Sequence, residues 1–283
     1  MLGIHLFRFA AGAALAAPIA APVAARLLTT DTVTGALAWE LAIFAVYLFN
    51  GVMDIQEDRV NGSRRPIAAG VLSRRAAVWV AICAALLALA GAAVTGMTAA
   101  LAVAAVLVVG WQYSARPGLL KQRPAGTAVG GAAMGLLAYV TGYCSQAHAA
   151  STAVTPAAMA FVIAASAWMA FVGAPAKDLP DVPGDVAAGR RTLPALWGEH
   201  RTRLVIVASA VTIAFAFAAA AIRDPALLAA AAVTLAGGTG MITRVSLHPI
   251  STGSRARRRL PYRVFMVTQY ATNACLLMTV LAR

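Results

Sequence analysis

Apolar residues fill nine long stretches of this chain, approximately 6–28, 35–57, 76–96, 98–114, 125–147, 155–177, 203–222, 225–244 and 261–282. Each approaches the roughly 20 residues that a helix needs to cross the hydrocarbon core of a bilayer. The stretch 76–114 is too long for one span, and Gly96 divides it into a hairpin. Residues 6–28 could imitate a secretory leader, but no basic segment precedes them and eight further runs follow, so they read as a retained helix. The pattern predicts an all-α polytopic membrane protein, a single domain over 1–283 built as a bundle of nine transmembrane helices. Pro66, Pro117, Pro124, Pro180, Pro183, Pro194, Pro225 and Pro261 punctuate the loops. Span interiors are rich in Ala and Gly, as in Gly130-Gly131-Ala132-Ala133-Met134-Gly135. Small residues there allow close helix packing, with clearance for a ligand as the alternative.

Composition agrees with this pattern. Hydrophobic residues make up 61% of the chain and charged residues 12%, and the mean hydropathy is +0.77, which excludes an ordinary soluble domain. The net charge of +13 would suggest nucleic acid, but its distribution does not. With the N-terminus inside, Arg8 and the loops after the second, fourth, sixth and eighth helices carry 20 of the 23 basic residues. Arg26, Arg223 and Arg283 fall on the other side. This is the positive-inside bias, and it places the N-terminus in the cytoplasm. The Ala- and Arg-rich composition is consistent with a high-GC bacterial gene, and the expected location is a bacterial cell membrane. Cys83, Cys144 and Cys275 fall within spans and form no CxxC pair, and His5, His148, His200 and His248 have no metal-ligand spacing.

Six of the ten carboxylates lie in two short clusters, each closing an apolar run. The first runs from Asn50 through Asp54 and Glu57 to Asp58. The second is Lys177-Asp178-Leu179-Pro180-Asp181-Val182-Pro183-Gly184-Asp185. Both fall on the cytoplasmic side. Ionisable groups beside the membrane core are costly and are usually kept for function. Asn50, Asp54 and Asp58 are spaced by four, which stacks them on one helical face. Like charges so stacked repel, and a hard divalent cation would relieve the repulsion. Asp181 and Asp185 repeat the spacing, but Pro180, Pro183 and Gly184 predict a turn or broken helix there. A solvated helix end with Asp58 paired to Arg59 or Arg65 is the structural alternative for the first cluster.

Arg65, Lys121, Lys177, Arg190 and Arg191 surround the acids in sequence, with Gln112-Tyr113-Ser114 and Lys121 following the fourth helix. Carboxylates with magnesium, ringed by Arg and Lys, suit a polyanion such as a diphosphate. Lipid headgroups are the alternative ligand for Arg190, Arg257, Arg258 and Arg259. No phosphate-loop, dinucleotide-binding, nucleophile-elbow or zinc-protease motif is present.

Asn50-x3-Asp54-x3-Asp58 followed by Arg65-Pro66-Ile67-Ala68-Ala69-Gly70 resembles the first signature of the UbiA superfamily of intramembrane prenyltransferases. Tyr113-Ser114 with Lys121 is similar to its middle segment, and Lys177-Asp178 through Asp185 to its second signature, in wording closest to the homogentisate and chlorophyll-synthase branch. Gly51, where many members carry an acid, and Pro183, at a position often acidic in that branch, depart from the pattern. The resemblance implies helices around a central cavity that opens to the cytoplasmic face. It implies that Asp54, Asp58, Asp181 and Asp185 hold two Mg2+ ions on an isoprenyl diphosphate. Asn50, Arg65, Tyr113, Ser114, Lys121, Lys177, Asp178 and Arg191 would bind the substrate. It further implies transfer of the prenyl group to an aromatic or quinone-precursor acceptor, with membrane lipids as surroundings and no nucleic-acid partner. Trp111, Tyr139, Tyr143, Trp168 and Phe171 are candidates to line the chamber. Arg8 is a candidate partner for an acceptor carboxylate or an interfacial anchor. A UbiA-type terpene cyclase would need the same ionising machinery without an acceptor, and a third reading transfers the prenyl group to a lipid. A transporter with acidic gates is the competing class, although transporter sites usually lie nearer the bilayer midplane.

Overall fold

The computed structural model describes residues 2–16, 28–115, 118–147 and 153–283. Arg26, Arg116, Pro117, His148 and the second half of the first apolar run lie outside the described residues. All regular structure among the described residues is helical. Helix α1 is Leu2–Ala16, α2 Thr30–Met53, α3 Ile55–Val60, α4 Arg74–Thr95, α5 Met97–Ser114 and α6 Pro124–Ala147. Helix α7 is Pro156–Ala167 and runs through a π-helical turn, Trp168–Gly173, into α8, Ala174–Asp178. Then come α9 Val182–Ala187, α10 Leu193–Ala221, α11 Pro225–Leu247, α12 Arg255–Arg258 and α13 Leu260–Leu281.

Among the described residues, eight helical segments are long and apolar enough to cross a membrane, the first being α2 and the last the α12–α13 pair. They correspond to the second through ninth apolar runs. The described part of the first run forms α1, which is shorter than a span. Many large apolar side chains on these helices, among them Leu86, Leu87, Phe215, Val233 and Val267, are exposed. That surface is suited to lipid rather than water.

The predicted hairpin is present. Gly96, at φ 134° and ψ 161°, separates α4 from α5. Two boundaries differ from the apolar pattern. The second run does not continue as one helix through the acids, because Asp54 (φ −96°, ψ 9°) breaks α2 from α3. The run expected to begin at 203 begins at Leu193, with Pro194 in its first turn, and is kinked at Gly198 (φ 79°). Apolarity alone does not find this start, because Glu199 and Arg203 make the segment polar while bonding to each other across one turn.

Small residues set the packing. Ala77, Ala81, Ala84, Ala88 and Ala92 form the buried stripe of α4, and α4 packs closely on α2, whose Ala38, Ala42 and Ala45 are buried. Helix α1 lies against α2, α6 and α13. Where α1 crosses α6, a Cβ on Gly12 would overlap the Tyr139 carbonyl, and one on Gly142 would overlap the Phe9 carbonyl. Only hydrogen fits at either place, which is the small-residue logic of close membrane-helix contacts. Among the Gly stretch of α6, Gly130 lies against the Tyr113 ring and Gly135 against Ser166 and Met169, while Gly131 borders the central cavity. Packing and clearance are thus both served.

The substitution Gly142→Leu is expected to force α1 off α6 and to destabilise the protein by about 3 kcal/mol. A fall of several degrees in the melting temperature of detergent-solubilised protein would show it, whereas an unchanged melt would mean that the two helices separate without cost.

Candidate active site

The two acidic clusters follow the same backbone path. Asp54 and Asp181 occupy equivalent hinges, with φ/ψ of −96°/9° and −108°/9°. Each opens a six-residue helix, α3 or α9, that carries the next acid, Asp58 or Asp185. The Asp58 amide donates to the Asp54 carbonyl at 2.8 Å and the Asp185 amide to the Asp181 carbonyl at 3.0 Å. The i to i+4 stacking read from the sequence therefore survives both hinges. Each short helix ends at a glycine with positive φ, Gly62 (61°) or Gly189 (70°), a region that glycine enters without strain. The following amides, Ser63 and Arg190, both bond back to the Asp58 and Asp185 carbonyls at 2.8 Å. The repeated spacing of the acids is thus matched by a repeated backbone path.

These two turns pack on each other. The Asn61 side chain accepts from the Gly184 amide at 3.1 Å. A Cβ on Gly184 would overlap Asn61, so α9 approaches α3 closely because of that glycine. The Pro66–Gly70 turn is held by Ile67, buried with Val52 and Ala77. That turn delivers Arg65 to the first cluster.

Five basic side chains meet five carboxylates. Lys121, on a 3-10 turn at Leu120–Gln122, is buried and bonds Asp54. Arg65 donates to Asp58 at 3.1 Å and lies 3.8 Å from Asp54. Arg190 bridges Glu57 at 3.1 Å and Asp185 at 3.0 Å. Arg255, on α12, donates to Asp181 at 2.6 Å and to the Asn61 carbonyl, and Arg259 lies 3.9 Å from Asp181. Thr192 adds a hydroxyl to Asp185 at 3.2 Å. Burial pushes the Glu57 carboxyl above its ordinary range; nearby Asp54 adds to this, and Arg190 and Lys121 offset part of it. Burial likewise raises Asp185, against the pull of Arg190 and the Thr192 hydroxyl. Burial alone would depress the Arg190 guanidinium, but Asp185 and its other anionic neighbours outweigh it and hold the charge firmly in place.

Beneath the acids lies a central cavity of about 110 Å³. Asn50, Arg65, Tyr113, Ser114 and Lys177 border its upper part, and His5, Arg8, Tyr47 and Tyr262 also line it. Asn50 donates to the Ser114 hydroxyl at 3.1 Å, tying α2 to α5. Lys177 reaches the wall through the π-helical turn before α8. Pro175 has no amide to give to an α-helix, and the Ala174 amide bonds five residues back to Met169. Such π-turns often occur at functional sites.

The structure brings Asp54, Asp58, Asp181, Asp185, Asn50, Arg65, Tyr113, Ser114, Lys121 and Lys177 to one end of the bundle. It places two expected residues elsewhere. The Arg191 side chain is exposed, and its predecessor Arg190 reaches the acids instead. Asp178 is buried in a separate crevice with Pro124, Thr127, Phe171 and Leu193. The five aromatics expected in the chamber do not line it. Tyr139 and Trp168 fill the protein core. Trp111 borders an outer groove with Phe49 and Ile82, and Phe171 is exposed. Tyr47, Tyr113, Tyr262 and Phe265 take that position, with Met134, Met169 and Met266. The sequence reading also passed over Glu57 and Arg255 as site residues. Glu57 lay in view within the first cluster, whereas nothing local marked Arg255 among the bases of its loop.

Among the described residues no three His, Cys, Asp or Glu side chains converge as a metal site. Each carboxylate is turned to a base instead. The donor set nevertheless suits magnesium, which is typically held by one or two carboxylates together with water and substrate phosphates.

A sequence profile of the UbiA prenyltransferase family matches residues 6–268. The chain belongs to this family. The fold agrees with that of UbiA structures. A UbiA homolog from Archaeoglobus fulgidus bound to GPP and Mg2+ superimposes with a TM-score of 0.74 at 19% identity, covering 100% of this chain and 96% of that one. An apo UbiA homolog from Aeropyrum pernix K1 gives 0.70 at 18%, covering 98% and 96%. A digeranylgeranylglyceryl phosphate synthase structure gives 0.69 at 11%, covering 99% and 94%. No curated protein matches the chain. This UbiA-family protein is therefore an integral membrane protein of the prenyltransferase fold.

Removing the shared cation of this site tests its electrostatics. Arg190→Ala leaves the half-buried Glu57 and the buried Asp185 without their common partner, and a loss of about 3 kcal/mol is expected. The pH dependence has a definite sign. Both carboxyls have folded pKa values above their unfolded ones, so their stabilising contribution is full in acid and is lost as pH rises through the raised values. In EDTA, the melting temperature is expected to fall from pH 5 to pH 8, more steeply in Arg190→Ala. A melt that instead rises with pH in that variant would contradict this assignment.

Proposed function

We propose that this protein is a Mg2+-dependent intramembrane prenyltransferase that ionises an isoprenyl diphosphate and transfers the prenyl group to an aromatic or quinone-precursor acceptor. The observation that carries this reading is the paired carboxylate turns and their ring of bases at the mouth of an apolar cavity. In this reading α1 completes nine spans, and the acidic end faces the cytoplasm, as the positive-inside bias indicates.

Asp54, Asp58, Asp181 and Asp185 would hold two Mg2+ ions. These carboxylates would hold magnesium whose positive charge would offset the charge that develops on the leaving diphosphate. Arg65, Lys121, Lys177 and Arg190 supply preorganised positive charge beside the same oxygens. Arg65, Lys121 and Arg190, now paired with these acids, would be left to contact phosphate oxygens if the acids held the cation. Arg and Lys thereby stabilise both the empty and the loaded site. Tyr113 and the Asn50–Ser114 pair fix the wall next to the carbon that becomes cationic. The apolar walls, with Met134, Met169, Met266 and Phe265, keep water from that carbon. The ring faces of Tyr113 and Tyr262 offer electrostatic support to a passing cation.

Purified protein in nanodiscs, given Mg2+ and geranyl, farnesyl or geranylgeranyl diphosphate with an aromatic acceptor panel, should form acceptor adducts detectable by mass spectrometry. EDTA should abolish them. Asp54→Ala and Asp181→Ala should each lower turnover at least ~100-fold, the scale of losing a group that stabilises transition-state charge. Full turnover in Asp54→Ala would refute the ionisation site. A cyclic hydrocarbon or alcohol formed without acceptor would replace transfer by cyclisation.

A further inference from the structure

The hairpin of α4 and α5 is closed at Gly96, and its open end lies on the side of the bundle that carries the acids. Toward that end an apolar groove of about 250 Å³ runs between the two legs, with α2 as its third side. Ala45, Ala81, Ala85 and Gly110 leave it room, and Phe49 and Trp111 border it near the acidic end. It faces outward, because Ile82 and Trp111 on its rim are exposed, as are Leu86 and Val108 beside it. Apart from the Trp111 indole N–H, no polar side-chain group lines it. Val46 stands between this groove and the central cavity, since it lines both.

The groove ends in charge. Arg74, Val78, Ala81, Ile82 and Ala85 recur at helical spacing on α4, so the apolar lining runs into Arg74 one turn before Val78, with Arg75 next to it. Both arginines are exposed, and among the described residues neither side chain makes an ion pair or a hydrogen bond. Trp79 and Trp111, both exposed, suit the depth of a membrane–water interface. We infer that this groove binds one anionic glycerophospholipid, with the phosphate on Arg74 and Arg75 and an acyl chain between α4 and α5. A dry channel open to hydrocarbon suits an acyl chain, which a free phosphate lacks. Two unpaired cations at its head favour a lipid of net negative charge over a zwitterionic one, which brings its own ammonium. The site also touches the acidic turns. Val78, which lines the groove, packs against Ile67, and the turn at Ile67 delivers Arg65 to Asp58. A bound lipid therefore braces that turn and stabilises the fold. The inference does not depend on the reaction proposed above.

The test titrates delipidated protein in neutral detergent with dioleoyl phosphatidylglycerol or dioleoyl phosphatidylcholine. Bound lipid is counted by native mass spectrometry and the melting temperature is followed in parallel. One phosphatidylglycerol is expected to bind at least tenfold tighter than phosphatidylcholine and to raise the melting temperature by several degrees. Glycerophosphoglycerol, the same headgroup without chains, should neither bind nor stabilise. Arg74→Gln combined with Arg75→Gln should erase the preference for phosphatidylglycerol. The same double change at Arg257 and Arg263, exposed arginines elsewhere on the surface, should keep it. Ala85→Phe fills the groove and leaves both arginines in place, so it should weaken both lipids; Ala85→Leu stands in if that variant does not fold. Equal affinity for the two lipids, an equal loss in the Arg257 and Arg263 pair, or unchanged binding in the groove-filled variant would each overturn the site. Stabilisation by the headgroup alone would reduce it to a phosphate contact, and displacement of the lipid by geranylgeranyl diphosphate would give the groove to an isoprenoid; either result also overturns the inference.

Discussion

Charge buried at the mouth of an apolar bundle has to be compensated, and much of this structure serves that requirement. Five carboxylates sit where water is scarce, and bases from four separate stretches of chain meet them, Arg190 serving both Glu57 and Asp185. The bases come from the turn after α3, the 3-10 turn before α6, the turn after α9 and the short helix α12. These ion pairs therefore tie together loops far apart in sequence. Removing one partner would leave a charge in a medium of low dielectric, which is much worse than losing a surface salt bridge.

The loops are in turn braced from outside the site. Arg203, near the start of the long part of α10, is buried and bonds the Ser246 carbonyl, the Ser251 carbonyl at 2.7 Å and the Ser251 hydroxyl. It thereby closes the end of α11 and fixes the loop that presents Arg255. Glu199 neutralises Arg203 at 2.6 Å and also reaches Arg258 at 3.4 Å. The same solution recurs in the two acidic turns, where a positive-φ glycine sends the chain back and lets its next amide close on the acid's own carbonyl. Rigid loops matter for a polyanion, because bases held at fixed positions lose less entropy when they engage it.

Below the acids the problem is reversed. Close helix crossings at Gly12 and Gly142 bring α1 deep into the bundle, and α1 carries His5 and Arg8 to the cavity wall. A chamber with acids and bases at one end and an isolated guanidinium farther in is polarised along its length.

The sequence by itself determined the membrane class, the hairpin at Gly96 and the two carboxylate clusters. Those features are local: length of apolar runs, a single glycine, and acids spaced by four. It also identified Asn50, Arg65, Tyr113, Ser114, Lys121 and Lys177, through local motifs resembling a known family. The tertiary structure decided which of two adjacent arginines turns inward, because Arg190 follows the positive-φ Gly189 and is drawn to Glu57 and Asp185, while Arg191 is spent on a backbone bond to Gln122 and leaves its side chain outside. It brought Arg255 to Asp181 from 74 residues away in the sequence. It also sent Tyr139 and Trp168 into the core rather than the chamber, since which side of a helix faces a cavity depends on neighbours that the helix's own sequence does not name. Arg8 shows the division most clearly: its charge is plain in the sequence, but its burial beside Gln269 and His5 exists only once α1, α2 and α13 have packed around it.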